Sequence, residues 1–271
     1  MTRRIALPLT NNRVYAATIS VFLWCVFSSS WAIEEQGKRV TPVINWLLNG
    51  PDEQTPRPSG AFIESDGLIV VEMESLNAPQ DWELKSDDTG AIGSYIEWAD
   101  RNRLQTPGFG LISVNVVISN PGTYQFLWRN SIRDGNSTTD SNDSFLRILA
   151  DNFYGFRLRD QSTVCPRDQA ENNRCNGEEP EGSSSDGWFK VYRSGGNPPN
   201  DWVWRSFTSD SDAHSIYADF DQAGVYEIQI SARSRFHAID RFVLFRSLNQ
   251  ADNVDESFAI SSDRPESERA P

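Results

Sequence analysis

From residue 67 to residue 246 the chain breaks into short β-branched and aromatic runs divided by turn residues, and no stretch of 12 or more residues carries a 3.6-residue apolar period. Asn120-Pro121-Gly122 and Gln222-Ala223-Gly224 are such dividers, since proline fixes one turn position and glycine accepts the left-handed one. The pattern predicts strands at Leu68–Glu74, Ser94–Ala99, Leu111–Ser119, Tyr124–Ser131, Ser144–Asp151, Trp188–Tyr192, Trp202–Phe207, Ser215–Phe220, Val225–Arg233 and Ala238–Arg246. Short strands joined by polar turns exclude a helical bundle and predict an all-β fold, a β-sandwich jelly roll filling residues 67–246. SNPGTYQFLWR at 119–129 and DQAGVYEIQISAR at 221–233 repeat one design, a turn, Gly, one residue and Tyr opening a strand that ends in Arg. A long insertion runs from Asn152 to Gly187, and connections of that length are usually functional.

The ends of the chain have a different character. Arg3, Arg4 and Arg13 precede an apolar run from Val14 to Phe27, which closes on the small-x-small triplet Ser30-Trp31-Ala32. These are the parts of a secretory signal peptide at 1–32, and the run falls short of the roughly 20 residues of a membrane span. Cleavage there leaves a chain with no membrane span and an extracytoplasmic product, secreted or periplasmic. Residues 33–66 read as an N-terminal segment and linker, with PDEQTPRPSG as its polar, proline-bearing part. Residues 247–271 offer little to bury and read as a disordered acidic tail.

Export agrees with the cysteines. Once Cys25 leaves with the signal, Cys165 and Cys175 remain in a polar stretch, a pairing expected to close the insertion as a disulfide. A loop this short gains roughly 2–3 kcal/mol from such a bridge.

Charge narrows the partners. With 25 Lys+Arg against 38 Asp+Glu, the formal net charge is −13, which excludes nucleic acid as a bulk partner because phosphate binding needs clustered positive charge. Only His214 and His237 occur, so a three-histidine zinc centre is impossible. No G-x-S-x-G elbow, H-E-x-x-H or P-loop is present.

Taken in order, GLIVVEMESLN, TGAIGSYIEWAD, SNPGTYQFLWRNS, NDSFLRI and DQAGVYEIQISARSRFHAIDRFVLF resemble the carbohydrate-binding modules of families 6 and 35 and related galactose-binding-like sandwiches. The resemblance covers about residues 67–246 and leaves the insertion outside. It implies a non-catalytic, calcium-stabilised sandwich that binds a polysaccharide or oligosaccharide, in a setting that includes a glycan-degrading enzyme system. Position by position, it implies a Ca²⁺ ligand set of Glu72, Glu74 and Asp240, and a sugar cleft using Tyr95, Trp202 and His237. His237 departs from the asparagine usual at its position.

The residues also speak for themselves. A sugar site needs a flat aromatic face and a few fixed polar groups. Trp82, Trp188 and Trp202 follow loop residues, where a platform would be mounted, and Trp204 shares one strand face with Trp202. Glu72 and Glu74, two apart on an extended strand, would lie about 7 Å apart on one face and repel. A hard cation with oxygen ligands relieves that, and Arg233 or Arg241 is the alternative. The carboxylate pair also admits a polysaccharide hydrolase or lyase, although VEMESLN lacks the E-x-D-x-x-E spacing of jelly-roll glycosidases. A protein-binding envelope or adhesion module is the remaining alternative.

Overall fold

The computed structural model of the chain describes residues 60–168, 174–175, 178–184, 186–248 and 252–271. The chain divides into Met1–Glu53 and Gln54–Pro271. The expected signal peptide, and the expected linker up to residue 59, lie outside the described residues.

In chain order the strands are β1 (Phe62–Ile63), β2 (Leu68–Glu72), β3 (Trp82–Lys85), β4 (Tyr95–Trp98), β5 (Ile112–Ile118), β6 (Gly122–Ile132), β7 (Asp143–Leu149) and β8 (Asn152–Arg157). They continue with β9 (Ser162–Val164), β10 (Phe189–Tyr192), β11 (Val203–Trp204), β12 (Phe207–Thr208), β13 (His214–Phe220), β14 (Gly224–Ser231) and β15 (His237–Arg246). A single helical turn, α1 (Glu256–Ala259), follows and is capped by the Asp255 carboxylate, which accepts from the amides of Ser257 and Phe258.

The strands join in the order β1-β5-β14-β7-β10-β12-β13-β6-β15-β4-β3, with β2 also on β15, β11 on β6, and the β8–β9 hairpin on β13. The sheet curls over itself into the all-β sandwich that the strand pattern predicts. Alternation places Ile112, Val114, Val116 and Ile118 of β5 inside, with Ser113 and Asn115 exposed between them. The same core takes Tyr124, Phe126 and Trp128 from β6, Ile228 and Ile230 from β14, and Phe242 and Leu244 from β15. Each such side chain contributes about 1.5–3 kcal/mol by leaving water.

Several elements differ from the sequence reading. The strand expected at Leu68–Glu74 is β2 and stops at Glu72, and Met73–Ser75 turn as a 3-10 helix, so Glu74 is not on a strand. The expected strand Trp202–Phe207 is two short ones, β11 on β6 and β12 between β10 and β13. The insertion is not all loop, because its first part forms β8 and β9 and extends the sheet at β13.

The tail reading is corrected. The amides of Ser267 and Ala270 donate to the carbonyls of Val70 and Ala61, those of Gly60 and Ile63 donate to Ala270 and Glu268, and Ala270 is buried. Val70 and Glu72 in turn donate to the Ser267 hydroxyl and the Glu266 carboxylate. Residues 266–270 satisfy backbone groups that β2 leaves open, a gain no hydrophobic pattern reveals.

Candidate functional site

The site begins at an irregularity in β15. Between Ile239 and Arg241 its register against β6 shifts by one residue, and Asp240 is the residue that bulges. Arg241 then stands opposite Glu72, the last residue of β2, while the 3-10 turn brings Glu74 round to the same place. Carboxylate oxygens of Glu72, Glu74 and Asp240 all lie within 4.8 Å of one another. The three residues named from sequence are thus brought together, by a bulge and a turn rather than by strand alternation.

Arginines answer part of this charge. Arg241 holds both oxygens of Glu72, with Nε to Oε2 at 3.0 Å and Nη2 to Oε1. Of the two arginines considered from sequence, Arg233 instead pairs with Asp143. Arg129 donates to Asp240 Oδ2, which also accepts from the Ile92 amide at 3.0 Å. Glu74 Oε1 accepts from the Ser94 amide at 3.2 Å. Two oxygens are left over: Glu74 Oε2 and Asp240 Oδ1 are shielded from solvent and have no hydrogen-bond partner among the described residues. Burial raises the affinity of all three carboxyls for protons. Glu72 is pushed up to about 7 by burial against the pull of Arg241, and Glu74 and Asp240 also rise with burial as the main cause. Orphaned carboxylate oxygens shielded from solvent fit a hard cation, with Glu74 and Asp240 as the open donors. Glu72 would join only while keeping its arginine.

The segment 86–94 joins this cluster to an aromatic one. Gly93 (φ +82°) passes so close to Glu74 that a Cβ there would lie 2.7 Å from Oε1, so a side chain would displace the carboxylate and strain the backbone. Three residues earlier, the Gly90 carbonyl accepts from Arg129 Nη2 at 2.6 Å. A Cβ on Gly90 would meet the Trp202 ring at 3.1 Å. Trp202 is half-buried; its Nε1 donates to Asp88 Oδ2 at 3.0 Å, and its ring packs edge-on against Tyr95 at 5.0 Å between centroids.

Arg133 stands over both rings, 5.3 Å from Tyr95 and 5.8 Å from Trp202, and pairs with Asp88 at 2.7 Å. Tyr95 is buried and donates its hydroxyl to Asp87 at 2.7 Å. Burial and that bond raise its pKa. The donated bonds of Tyr95 and of the Gly90 amide lower Asp87 and Asp88 respectively, so both remain ionised acceptors. An indole with a polar rim of Asp87, Asp88 and Arg133 results.

The other sequence candidates lie elsewhere in the structure. Trp82 is buried at 4% exposure, donating to the Gly110 carbonyl and packing on Trp98, and Trp188 is buried at 3% under Arg147. Neither is a surface platform: Trp98 and the loop at Gly110 cover the first, and Arg147 of β7 stands over the second. Trp204 packs against the cluster of Val70, Leu127 and Ala259, away from the Trp202 ring, since β11 begins only at Val203. His237 is wholly buried against Trp128, with Nδ1 at 2.7 Å from the Ser144 hydroxyl. Burial and then Arg193 lower its pKa to about 3, so it is a neutral core residue and not a cleft donor. The Cys165–Cys175 disulfide is present, with Cα atoms 5.8 Å apart.

Sequence reasoning missed Asp87, Asp88, Arg129 and Arg133. Arg129 ends the first of the two repeated Tyr-to-Arg runs, so its outward place on β6 was readable; its contact with residues 90 and 240 was not.

No protein-family model matches the chain, and no curated protein matches it. Among solved structures it is similar to a GH26-CBM35 β-(1,4)-mannanase of Podospora anserina, at 12% identity and a TM-score of 0.41 over 69% of this chain and 29% of that one. It is also similar to the C-terminal CBM6 of the laminarinase LamC of Zobellia galactanivorans, at 11% identity and TM-score 0.34 over 66% of this chain and 99% of that one. A third is the module CBM6cm-2 of Cellvibrio mixtus lichenase 5A in complex with cellotriose, at 11% identity and TM-score 0.35 over 66% and 98%. These name the same module families as the sequence motifs, at a likeness too low to carry function.

Proposed function

We propose that the chain is an exported carbohydrate-binding protein whose ligand site is the Trp202 cleft. The observation that carries this reading is the half-buried indole of Trp202, held by Asp88 and edged by Tyr95, with Asp87, Asp88 and Arg133 as its polar rim. An indole offers an apolar face to sugar C–H groups, and the rim offers fixed donors and acceptors for hydroxyls. Binding at this cleft needs no bond cleavage. The acids of the neighbouring cluster serve fixed partners, Asp240 with Arg129 and Glu72 with Arg241, which disfavours them as a free acid and nucleophile.

Calcium belongs to the same proposal. Glu74 Oε2 and Asp240 Oδ1 would hold it, which would offset the buried negative charge and brace segment 86–94 through Ile92 and Ser94. The test is a broad glycan array probed with the purified protein, with and without EGTA, beside Trp202→Ala. Binding to a polysaccharide that Trp202→Ala weakens supports the proposal. An array with no bound glycan, or one on which the variant binds equally well, refutes it.

A further inference from the structure

A second group of reactive side chains lies in the insertion, on elements that the Trp202 cleft does not use. In the β8–β9 hairpin Arg157 stands directly opposite Ser162, so both side chains share a face. β8 also pairs with β13, with Phe156 opposite Ser215, which brings His214 beside that face. His214 Nε2 lies 2.9 Å from Ser162 Oγ. On its other side Nδ1 lies 2.5 Å from the backbone carbonyl of Asp212. A carbonyl oxygen only accepts, so Nδ1 carries the proton and neutral His214 presents the Nε2 lone pair to the serine.

Two further groups stand beside the pair. Arg157 holds Asp160 with Nε and Nη2 at 2.9 and 2.6 Å and reaches the Asp212 carboxylate with Nη1, which leaves two of its five N–H groups. Asp160 Oδ1 is 2.8 Å from Ser162 Oγ and competes for its proton. Arg157 and then Ser162 hold that carboxyl well below its usual range, so it is a poor proton acceptor. His214 is lowered as well, by burial and then Arg157, so it is neutral near pH 7. Ser162 is only half-buried, whereas His214 is shielded from water. A shielded base against a reachable hydroxyl is the arrangement of an activated nucleophile.

We propose that Ser162 and His214, with Arg157 beside them, form an acyl-transfer site that hydrolyses carboxylic esters. Ser162 Oγ bonds to the ester carbonyl carbon as its proton passes to His214 Nε2. The carbonyl π pair moves to oxygen, where the spare N–H groups of Arg157 offset the charge. Collapse breaks the bond to the alkoxy oxygen, which leaves as the alcohol with the proton from His214. Water then attacks the acyl-serine by the same proton path, releasing the carboxylic acid and restoring Ser162. Asp212, through its carbonyl, and Asp160, through Arg157, are positioning residues.

The experiment treats the full chain with a fluorophosphonate, which bonds to an activated serine with loss of fluoride, and maps the adduct by mass spectrometry. Hydrolysis of p-nitrophenyl acetate is followed in parallel. The expected result is an adduct on Ser162 and turnover that falls at least ~100-fold in Ser162→Ala. Ser162→Ala should melt with the parent, since it opens no core cavity. His214→Gln risks misfolding because it is buried, so the serine variant is the deciding one. No adduct on Ser162, or equal hydrolysis by Ser162→Ala, overturns the proposal.

Discussion

At the level of single side chains, two tryptophans with similar surroundings in sequence end in different places. Trp202 follows Asn200 and Asp201 and is half-buried; Trp188 follows Asp186 and Gly187 and is buried under Arg147. The difference lies in what folds back over each ring, which no local pattern contains. Trp202→Ala should weaken glycan binding by about 1–3 kcal/mol with little change in melting temperature, because a cleft platform is lost and no core void opens. Calorimetric titration and a thermal melt of the same sample check both parts.

His237 supplies a second residue-scale prediction. Its folded-state pKa of about 3 lies below the ordinary 6.5, so the folded state binds fewer protons than the unfolded one. Stability from this group is therefore present above pH 6.5 and is lost as pH falls from 6.5 toward 3. Between pH 7 and pH 5 the loss is about 2 kcal/mol. Urea unfolding at both pH values, repeated on His237→Gln, should show a smaller loss in the variant.

At the scale of elements, segment 86–94 and residues 266–270 supply contacts that the strands alone cannot. The first is tied to Glu74 and Asp240 through the Ser94 and Ile92 amides, and to Trp202 through Asp88. If calcium fills the space between the two orphaned oxygens, at about 100 times its dissociation constant it adds roughly 2.7 kcal/mol. That corresponds to a melting shift of about 5–10 °C between calcium and EGTA. Glu74→Gln should lose most of it, and a parent shift below about 2 °C would remove calcium from the account.

The C-terminal segment closes the exposed side of β2. Deleting residues 262–271 should lower the melting temperature and increase self-association, as the Val70 and Glu72 amides lose their partners. Differential scanning calorimetry with light scattering reads both effects.

Strand existence was largely legible in the sequence because alternation records burial directly, as in Ile112–Ile118, where exposed Ser113 and Asn115 separate buried valines and isoleucine. Breaks between strands were not. Trp202–Phe207 looks continuous, yet Val203 and Trp204 pair with β6 while Phe207 and Thr208 turn to β10 and β13. The hairpin of β8 and β9 was hidden by Gly155, whose lack of a side chain lets Thr208, Val164 and His214 approach closely. The resemblance grouped Glu72, Glu74 and Asp240, and the structure brings them together, but through the bulge at Asp240 and the turn at Glu74 in place of the strand spacing expected for the two glutamates. Charge partners lay furthest from the sequence, since Arg129 and Asp240 are 111 residues apart.

At the scale of the whole molecule, a curled sheet fixes one composite site from distant segments: β2 and its turn, residues 86–94, β6, the segment before β11, and the bulge of β15. The central claim is that this site binds a glycan through Trp202. The most direct measurement is calorimetric titration of the parent and Trp202→Ala, in calcium, with oligosaccharides of the polysaccharide that the array selects. The account predicts saturable binding by the parent and a dissociation constant at least ~5-fold weaker in a variant that melts normally. Equal affinity in the folded variant would contradict it.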